Sequence, residues 1–585
     1  MISFSQLRRS RFRRSSFCRS SFCRSLLYRS LFCGSVLLAF GFVWCQGVAV
    51  FAAQSSAAAQ AQSSSDILRI AGTVVSATGG NLLARARVTI VDARNPERRQ
   101  SMITSDDGRF DFKVSPGKYS LQGAKRGFIT AAYDEHEQFS TAIVTGVGFD
   151  TENLVLRLAP SAVLSGKILD ELGDPVRHAM VSLYREDRRT GIGRIRRINA
   201  DSTDDQGAYE FAPLDAGTYF ISATATPWYA LHSVSSHQAE TENLPTSVDR
   251  SLDTAYPVTY YGDSTEPDDA TPIPIRGGDH LQADIHLNPV PALHLFFRVP
   301  DNGEHGINVP LLQRPSFDGS FDEMDSVQTG GMQQVSPGVF EINGVAPGRY
   351  AVRTPGSGQG NEGNEIDLTS DGQELNVPAA ESAAKVKATV QLLGETALPP
   401  HLGIALRNSK MRVVAWQEVD TKGEIEFQDL APGKYEVLAV AAPKEFSVVR
   451  ISTPGSDTAG HSLNVTAGAA LTVSLSLVGG SVSVEGFAKR AGKALPGAMV
   501  VLVPKDPDAH RDLFRRDQSD QDGSFSLRSV IPGTYTIVAI ENGWDLDWSR
   551  PGVIAQYAKH GQAVTVTEHT QSSMHLSDPV EVQRR

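Results

Sequence analysis

One stretch near the C-terminus decides the fold. It reads DQDGSFSL at residues 520–527 and PGTY at residues 532–535. An acidic turn with glycine leads into alternating strand residues, then a Pro-Gly turn follows and a tyrosine opens the next strand. Aspartate at the start of a turn bonds backbone N–H groups, and glycine supplies the positive φ that closes it. Phe525 and Leu527 are two residues apart, so we expect them to share one face of a strand.

The same pattern occurs four more times earlier in the chain. The other copies are SDDGRFDF at 105–112 with PGKY at 116–119, DDQGAYEF at 204–211 with AGTY at 216–219, PGVFEI at 337–342 with PGRY at 347–350, and DTKGEIEF at 420–427 with PGKY at 432–435. The tyrosine always lies two residues after the second glycine. We interpret each copy as a hairpin whose tyrosine returns to the core and keeps its hydroxyl near a polar rim.

Further short strands surround each copy. In the second copy an earlier pair is predicted at 164–170 and 179–184, and in the first copy a closing pair is predicted at 142–144 and 154–158. Short alternating strands with turn signals every ~8–12 residues are typical of β-sandwiches of roughly 100 residues. The predicted fold class is all-β, a tandem array of about five antiparallel immunoglobulin- or transthyretin-like β-sandwiches. The predicted domains are 66–160, 161–291 with a long insertion, 292–384 as a divergent copy, 385–478, and 479–585 with an aromatic extension.

The N-terminus has the composition of an export segment. Its arginines fall within residues 1–29, an apolar run covers 31–53, and an Ala/Ser/Gln-rich linker covers 54–65. A basic region, an apolar stretch and small residues are typical of a signal peptide, so 1–53 is predicted to be one. An uncleaved membrane anchor is the alternative, because the run is long enough to cross a bilayer. Either alternative predicts an extracytoplasmic location for the remainder: the periplasm, the outer membrane surface or the medium.

Charge and cysteine content exclude several classes of function. The formal net charge is −11, and setting aside the eight N-terminal arginines leaves 47 basic against 66 acidic residues, a net charge of −19. An acidic body repels polyanions, so we predict no nucleic-acid partner. All 4 cysteines lie before residue 46, so the sandwiches contain neither a disulfide nor a Cys-ligated metal site.

Part of the second copy resembles a known family. Residues 165–176 read SGKILDELGDPV, Ala-Met-Val follows at 179–181, TDDQG occupies 203–207 and GTY occupies 217–219. These residues resemble the opening of carboxypeptidase regulatory-like domains, which are transthyretin-like sandwiches close to the collagen-adhesin B-type and starch-binding-like folds. The first and fifth copies are similar, whereas the third and fourth lack the Gly-x-Pro-Val segment in good form. The resemblance implies an accessory domain, often grouped with carbohydrate binding, and it implies no catalytic residues.

No enzyme site is predicted. The local His-x-x-Glu pattern at 237–240 lies in a serine-rich loop, without the rigid scaffold that a zinc peptidase needs. The GxGxxG at 358–363 lacks the βαβ unit of a dinucleotide site. The Asp-Gly turns at 106–108 and 520–523 offer oxygen ligands for calcium, but the same residues are favoured in any tight turn. We predict no catalytic residue, no cofactor and no metal.

Loop aromatics give the sharpest functional hypothesis. Tryptophan and tyrosine cluster after the last copy of the motif, beside Asp545 and Asp547, and again after the second copy. The candidate carbohydrate-binding residues are Trp544, Trp548, Tyr557, Trp228 and Tyr229. Aromatic faces stack on pyranose rings, and sandwiches commonly bind partners through such loops. Capping of the open ends of the sandwich cores is the alternative role for these residues.

The sequence therefore predicts an exported, non-enzymatic cell-envelope protein. Its first predicted function is binding of a polysaccharide or glycan. The alternative is a structural stalk, or an accessory protein that contacts another envelope protein. A membrane contact is predicted only through the N-terminal segment, if that segment is not cleaved.

Overall fold

The computed structural model describes residues 67–585 with gaps. The gaps are 190, 233–248, 299–309, 316, 318–320, 327–328, 354–363, 376–382, 395–396, 410–411, 442–445, 454–455, 481, 509, 568–569 and 571. The predicted export segment 1–53 and linker 54–65 lie outside the described residues, as do the patterns at 237–240 and 358–363. No helix in the described ranges combines the length and the apolar character that a bilayer crossing requires.

The first β-sandwich, sandwich 1, has two sheets. Its strands are β1 (Leu68–Ser76), β2 (Arg87–Asp92), β3 (Arg99–Ile103), β4 (Arg109–Val114), β5 (Lys118–Ala124), β6 (Ala131–Ala132), β7 (Ile143–Val144) and β8 (Leu154–Leu158). One sheet has the order β4-β1-β8, and the other has the order β3-β2-β5-β6 with β7 also paired to β5.

Sandwich 2 repeats this plan and carries the long insertion. Its strands are β9 (Ala162–Leu169), β10 (Met180–Asp187), β11 (Arg194–Ser202), β12 (Ala208–Leu214), β13 (Gly217–Thr224), β14 (Thr254–Ala255), β15 (Thr259–Tyr260), β16 (Ile273–Ile275), β17 (His280–Gln282), β18 (Ile285–His286) and β19 (Val290–Pro291). Short 3-10 helices cover Arg250–Leu252 and Pro267–Asp269. The main sheets have the orders β12-β9-β17 and β11-β10-β13-β15, and β14 pairs with β19.

Sandwich 3 is the smallest. Its strands are β20 (Leu293–Arg298), β21 (Leu311–Pro315), β22 (Phe321–Ser326), β23 (Gly331–Ser336), β24 (Val339–Val345), β25 (Gly348–Arg353) and β26 (Asn364–Leu368). Its sheets have the orders β20-β24-β23 and β22-β21-β25-β26.

In sandwiches 4 and 5 the two layers are joined into one continuous sheet. Sandwich 4 consists of β27 (Ala384–Leu392), β28 (Gly403–Arg407), β29 (Val413–Glu418), β30 (Glu424–Leu430), β31 (Gly433–Val440), β32 (Phe446–Thr453), β33 (Ser456–Ala459), β34 (Ser462–Val465) and β35 (Ala470–Gly479). Sandwich 5 consists of β36 (Val482–Arg490), β37 (Lys493–Ala494), β38 (Met499–Pro504), β39 (Arg515–Gln518), β40 (Ser524–Val530), β41 (Gly533–Glu541), β42 (Gln562–Val566), β43 (Ser573–His575) and β44 (Val580–Arg584). It also has 3-10 helices at Arg511–Leu513 and Gly543–Asp545 and the helix α1 (Pro551–Ala558).

Each sandwich has its own apolar core, and the predicted alternation builds it. In β4 exposed and buried residues alternate, and Phe110 and Phe112 are 1% and 4% exposed. Phe525 and Leu527 are likewise buried, in the core of sandwich 5. The all-β prediction and the array of five sandwiches are therefore confirmed.

The repeated motif is a corner between layers, and the hairpin interpretation is wrong. In sandwich 1, β4 pairs with β1 whereas β5 pairs with β2 in the other sheet. The same split recurs in sandwich 5, where β40 pairs with β36 and β41 with β38. The Pro-Gly turn between the two strands therefore carries the chain from one layer to the other.

The five repeat tyrosines fasten these corners. Each is buried, and its hydroxyl donates a hydrogen bond to the backbone carbonyl four residues earlier. The pairs are Tyr119–Ser115 (2.9 Å), Tyr219–Asp215 (2.9 Å), Tyr350–Ala346 (2.6 Å), Tyr435–Ala431 (2.6 Å) and Tyr535–Ile531 (2.7 Å). A tyrosine that bonds backbone a few residues upstream is a known device at sandwich corners. The invariant spacing in the sequence is thus a requirement of this corner.

The closing strands depart from the antiparallel prediction. The segments predicted to form a closing pair lie in different sheets: β7 pairs with β5, and β8 runs parallel to β1. The first strand also has a parallel neighbour in sandwiches 2, 4 and 5, through β17, β35 and β43. In each of these sandwiches the chain crosses once more between the layers before the strand that pairs with the first strand. That strand therefore runs parallel to the first strand.

Candidate functional site

Trp544 lies in the 3-10 helix that follows β41, and both its ring and its N–H are engaged. The residue is 8% exposed. Its indole stacks on the His136 ring of sandwich 1, with centroids 5.2 Å apart and planes at 8°. The Phe139 ring lies 5.6 Å away, and the Trp544 Nε1 donates to the Gly497 carbonyl at 3.1 Å. Trp544 therefore joins sandwich 5 to sandwich 1.

Trp548 lies in the same cluster, beside a buried cation. It is 7% exposed, and the Arg516 guanidinium carbon lies 4.2 Å from the centroid of its ring. Phe514 meets it edge-on at 5.5 Å. Tyr557, on α1, packs against the same cluster and is partly buried. A guanidinium stacked on tryptophan is a favourable cation–π contact, and it is stronger when water is excluded.

Arg516 and Glu137 form an ion pair across the two sandwiches. The Arg516 Nη2 lies 2.6 Å from the Glu137 Oε2, and the two side chains are only 5% and 15% exposed. A buried guanidinium needs such a partner, because an unpaired buried charge is strongly destabilising. The pair therefore couples the position of the segment around Glu137 to β39.

A buried glutamine extends this contact. Gln518 is 2% exposed, and its Nε2 donates to the Thr141 Oγ1 at 2.8 Å and to the Asp134 carbonyl. Its Oε1 lies 3.1 Å from the His136 Nδ1. Every polar atom of this amide therefore has a partner in sandwich 1.

The acidic turn of the fifth copy also binds sandwich 1. In the second copy the Asp204 Oδ1 accepts from N–H groups of its own turn, Gln206 and Ala208. The equivalent Asp520 instead accepts from the Ala142 N–H at 2.9 Å and pairs with the Lys118 Nζ at 2.9 Å. The Asp204 carboxylate is thus engaged within its own turn, whereas the Asp520 carboxylate is engaged by donors of sandwich 1.

The arginine-rich insertion of sandwich 2 contacts the same segment of sandwich 5. Arg188 donates to the Asp545 carbonyl at 3.0 Å, and the Gly193 N–H donates to the Asp547 Oδ1 at 2.9 Å. The Ser549 N–H in turn donates to the Gly191 carbonyl at 3.1 Å. Residues 543–550 therefore lie between two other sandwiches.

The predicted sugar-binding residues thus fall into two places with opposite exposure. Trp544, Trp548 and Tyr557 come together, but the flat faces of the two indoles are covered by protein groups. A pyranose cannot stack on Trp544 while His136 occupies its face. The core-capping alternative describes this cluster, with the addition that the cap comes from sandwich 1.

Trp228 and Tyr229 form the second place, in the insertion of sandwich 2. Trp228 is 87% exposed, and its ring meets that of Tyr229 at 90° with centroids 5.7 Å apart. The Tyr229 and Tyr256 hydroxyls both donate to the Glu171 carboxylate. Burial opposes ionisation of Glu171, yet hydrogen bonds from Tyr229, from its own backbone N–H and from Tyr256 hold its pKa below the ordinary value. The carboxylate therefore stays ionised and fixes the tyrosine beneath an exposed indole.

Several residues of the interface could not be found from the sequence. Arg516, Glu137 and Gln518 carry no motif, and the partners in each pair are more than 370 positions apart. The acidic turns gave no signal for them, because SDDG, DDQG, DTKG and DQDG all differ from one another.

Comparison with known proteins agrees with this architecture. Residues 69–154 match the model of the family described as the carboxypeptidase regulatory-like domain. The chain is thus a multidomain β-sandwich protein. Its first sandwich is a carboxypeptidase regulatory-like domain, which confirms the resemblance there. No curated protein sequence matches the chain.

Solved structures with similar sandwiches include a Bacillus anthracis protein and two streptococcal pilins. The Bacillus anthracis TIE protein is 12% identical with a TM-score of 0.16, over 71% of this chain and 75% of that one. A streptococcal ancillary pilin is 14% identical with a TM-score of 0.19, over 50% of this chain and 98% of that one. The minor pilin GBS52 of Streptococcus agalactiae is 10% identical with a TM-score of 0.20, over 40% and 99%. Similarities at this level carry no argument about function.

Proposed function

We propose that this chain is an exported, non-enzymatic scaffold of the cell envelope, with its sandwiches locked into a fixed arrangement. The observation that carries the proposal is the buried contact of Arg516 with Glu137, Trp544 and Trp548. A chain of independently moving modules has no use for a desolvated ion pair and two covered indoles between its first and last modules. A scaffold that presents surfaces at fixed distances does need such contacts.

The export and domain parts of the proposal rest on the sequence. The basic and apolar composition of residues 1–53 supports an extracytoplasmic location, either after cleavage or with an anchor retained. The proposed domains are 66–160, 161–291, 292–384, 385–478 and 479–585, and the five separate apolar cores support them. Cell fractionation and the mass of the mature N-terminus would test export and cleavage together.

Hydrogen–deuterium exchange on the full-length chain tests the fixed contact between sandwiches 1 and 5, which we call the lock. In Arg516→Ala we expect faster exchange on both sides of the contact, at residues 131–144 of sandwich 1 and at 543–550 of sandwich 5. The matched control is Arg528→Ala, because Arg528 is an exposed arginine of the same sandwich. Unchanged protection at 131–144 in Arg516→Ala would refute the lock.

Carbohydrate binding is the second candidate, now centred on Trp228 and Tyr229. The observation that favours it is the exposed Trp228 indole, held beside Tyr229 and the ionised Glu171. An apolar face next to a fixed carboxylate is suited to a sugar ring and its hydroxyls. A polysaccharide array probed with the full-length chain and with Trp228→Ala tests this candidate.

The matched control on that array is Trp416→Ala, because Trp416 is another exposed tryptophan, 52% accessible. We expect retention on one glycan class that Trp228→Ala loses and Trp416→Ala keeps. Equal retention of all three proteins, or none at all, would eliminate sugar binding at Trp228. If retention is lost only in Trp544→Ala or Trp548→Ala, the glycan binds at the buried cluster. The contact between sandwiches 1 and 5 would then have to separate for the glycan to enter.

A further inference from the structure

Two histidines and an aspartate meet where sandwich 4 faces sandwich 5. His461 precedes β34, whereas His510 and Asp512 border and enter the 3-10 helix Arg511–Leu513. One ligand atom from each of the three residues lies within 4.8 Å of the others. The His461 and His510 rings are 5.4 Å apart. The cluster is at an interface, because the Ser447 hydroxyl of sandwich 4 donates to the Asp512 Oδ2 at 2.7 Å.

Two atoms of this cluster are buried without a partner. In the described part of the chain, neither the His461 Nδ1 nor the Asp512 Oδ1 reaches solvent or a hydrogen-bonding group. His461 is 8% exposed as a whole residue. Buried polar atoms are nearly always satisfied, and an orphan loses its hydration without gaining a partner. One orphan nitrogen and one orphan carboxylate oxygen at the same place call for a shared partner that accepts electron pairs.

The surrounding contacts leave those two atoms free to bind. The Glu436 Oε1 lies 3.1 Å from the His461 Nε2, so the Nδ1 is the nitrogen that remains. The Val437 N–H donates to the His461 carbonyl at 2.7 Å and holds its backbone against β31. A carboxylate behind a ligating histidine fixes the ring and raises its basicity, which is the usual arrangement around protein-bound zinc.

Carboxylates and cationic side chains both lie beside the cluster, since the adjoining groove is also lined by Arg194, Lys434, Lys505 and Arg511. Glu436 and Asp512 contribute two carboxylates, and the nearby Arg407 is paired with the Glu436 Oε2 at 2.6 Å. A groove of 1380 Å³ opens beside the cluster, lined by residues of both sandwiches including Tyr435, Glu436, His461 and His510. It supplies room for a water molecule as a fourth ligand.

We propose that His461, His510 and Asp512 bind one divalent first-row transition ion, Zn²⁺ in the first instance, and that this ion fastens sandwich 4 to sandwich 5. Two imidazole nitrogens and one carboxylate oxygen are a zinc donor set, and a water completes four-coordination. Tetrahedral zinc with bonds of ~2.0–2.1 Å places its ligand atoms roughly 3.3 Å apart. The three side chains therefore close in on the ion by small rotations when they bind it.

Zinc titration of the untagged, full-length chain tests the site. The protein is first stripped with a chelator, its cysteines are alkylated so that Cys18, Cys23, Cys33 and Cys45 do not bind metal, and Zn²⁺ alone is added at pH 8 in a calorimeter. We expect one Zn²⁺ per chain. His510→Gln and Asp512→Asn should each weaken binding at least tenfold, and Glu436→Gln should weaken it 10- to 100-fold as a positioning residue.

The matched control is His575→Gln, because His575 is an exposed histidine of sandwich 5 whose side chain is 74% accessible. Its zinc affinity should equal that of the unaltered chain. Cobalt provides a second readout, since Co²⁺ in a four-coordinate nitrogen and oxygen site gives strong visible absorption that each ligand variant should lose. Melting of every variant in chelator separates lost ligation from lost folding.

Three results of the zinc titration would overturn the proposal, and a fourth would come from a titration with Ca²⁺. They are the absence of stoichiometric Zn²⁺ binding, an unchanged affinity in a folded His510→Gln or Asp512→Asn variant, and an equal loss in His575→Gln. Binding of Ca²⁺ in place of Zn²⁺ would also overturn it, because calcium prefers oxygen ligands.

Discussion

His294 should make the attachment of sandwich 3 to sandwich 2 sensitive to pH. This histidine lies on β20, and its Nδ1 faces the Glu341 Oε1 of β24. Its Nε2 lies 2.7 Å from the Asp253 Oδ2, which belongs to the insertion of sandwich 2. The other oxygen of Asp253 lies 2.9 Å from the His232 Nδ1. Both nitrogens of a buried imidazole therefore face carboxylates.

The magnitude follows from the pKa of His294. Hydrogen bonding to Glu341 and Asp253 outweighs burial and raises this pKa from 6.5 to about 9. At 1.36 kcal/mol per pKa unit, the protonated form gains roughly 3 kcal/mol in the folded state. Because the pKa of His294 is higher in the folded than in the unfolded state, the free energy of unfolding decreases as the pH rises. The stabilisation is complete below pH ~6.5, falls as pH rises and is lost above pH ~9.

Two measurements on the full-length chain check this reasoning. NMR titration of the histidine signals should show one imidazole with a pKa near 9, which disappears in His294→Gln. Calorimetry between pH 6 and 10 should show the transition of sandwich 3 shifting to lower temperature in the unaltered chain. His401→Gln is the control, because His401 faces Glu418 at 2.9 Å on the surface, with its side chain 88% exposed.

The reasoning fails if His294 titrates near 6.5. It also fails if His294→Gln keeps the same fall in stability between pH 6 and 10 as the unaltered chain. A slope that vanishes equally in His401→Gln would trace the effect to surface charge.

Three other substitutions probe the corners and the interfaces. Tyr535→Phe should lower the free energy of unfolding of sandwich 5 by about 1 kcal/mol, since it leaves the Ile531 carbonyl without its donor. Calorimetry measures this change, with Tyr557→Phe as the control. If Tyr535→Phe loses no more stability than Tyr557→Phe, the role of the tyrosine at the corner is contradicted. Glu137→Gln should destabilise the contact of sandwiches 1 and 5 by about 3–5 kcal/mol, because it leaves the buried Arg516 without its anionic partner. Chemical denaturation measures this loss. A loss under ~1 kcal/mol would mean that the ion pair is effectively solvated. Phe317→Ala should weaken the contact of sandwiches 2 and 3 by about 2–3 kcal/mol, because the centroid of the Phe317 ring lies 4.9–5.3 Å from those of Tyr184, Phe220 and Tyr260. Hydrogen–deuterium exchange at β13 that stays as slow as in the unaltered chain would contradict this prediction.

The class of fold was predictable because its signals are local. The acidic turn, the period of two in β4 and the fixed tyrosine spacing each lie within about fifteen residues, where backbone sterics and burial act directly. Which strands pair with each other could not be predicted in the same way. A hairpin and a corner between layers use the same turn residues, and only the choice of partner strand distinguishes β4 beside β1 from β4 beside β5.

The functional residues show the same division. Aromatic loops were visible in the sequence, but whether Trp544 or Trp228 faces solvent depends on a partner surface hundreds of residues away. His461 could not be connected with His510 and Asp512, because 49 and 51 positions and a change of sandwich separate it from them. Spacing patterns for metal sites apply to ligands on one element or loop, and this cluster is formed by two domains.

By itself, the sequence determined that the chain folds as repeated all-β sandwiches with a tyrosine at a fixed position in each copy of the motif, because these properties depend on neighbours along the chain. Only the tertiary structure decided that sandwich 5 contacts sandwiches 1, 2 and 4, that two tryptophans are covered, and that three metal-binding side chains meet. Those contacts join surfaces remote in sequence, and their energy comes from the burial of apolar faces and paired charges that no local pattern encodes.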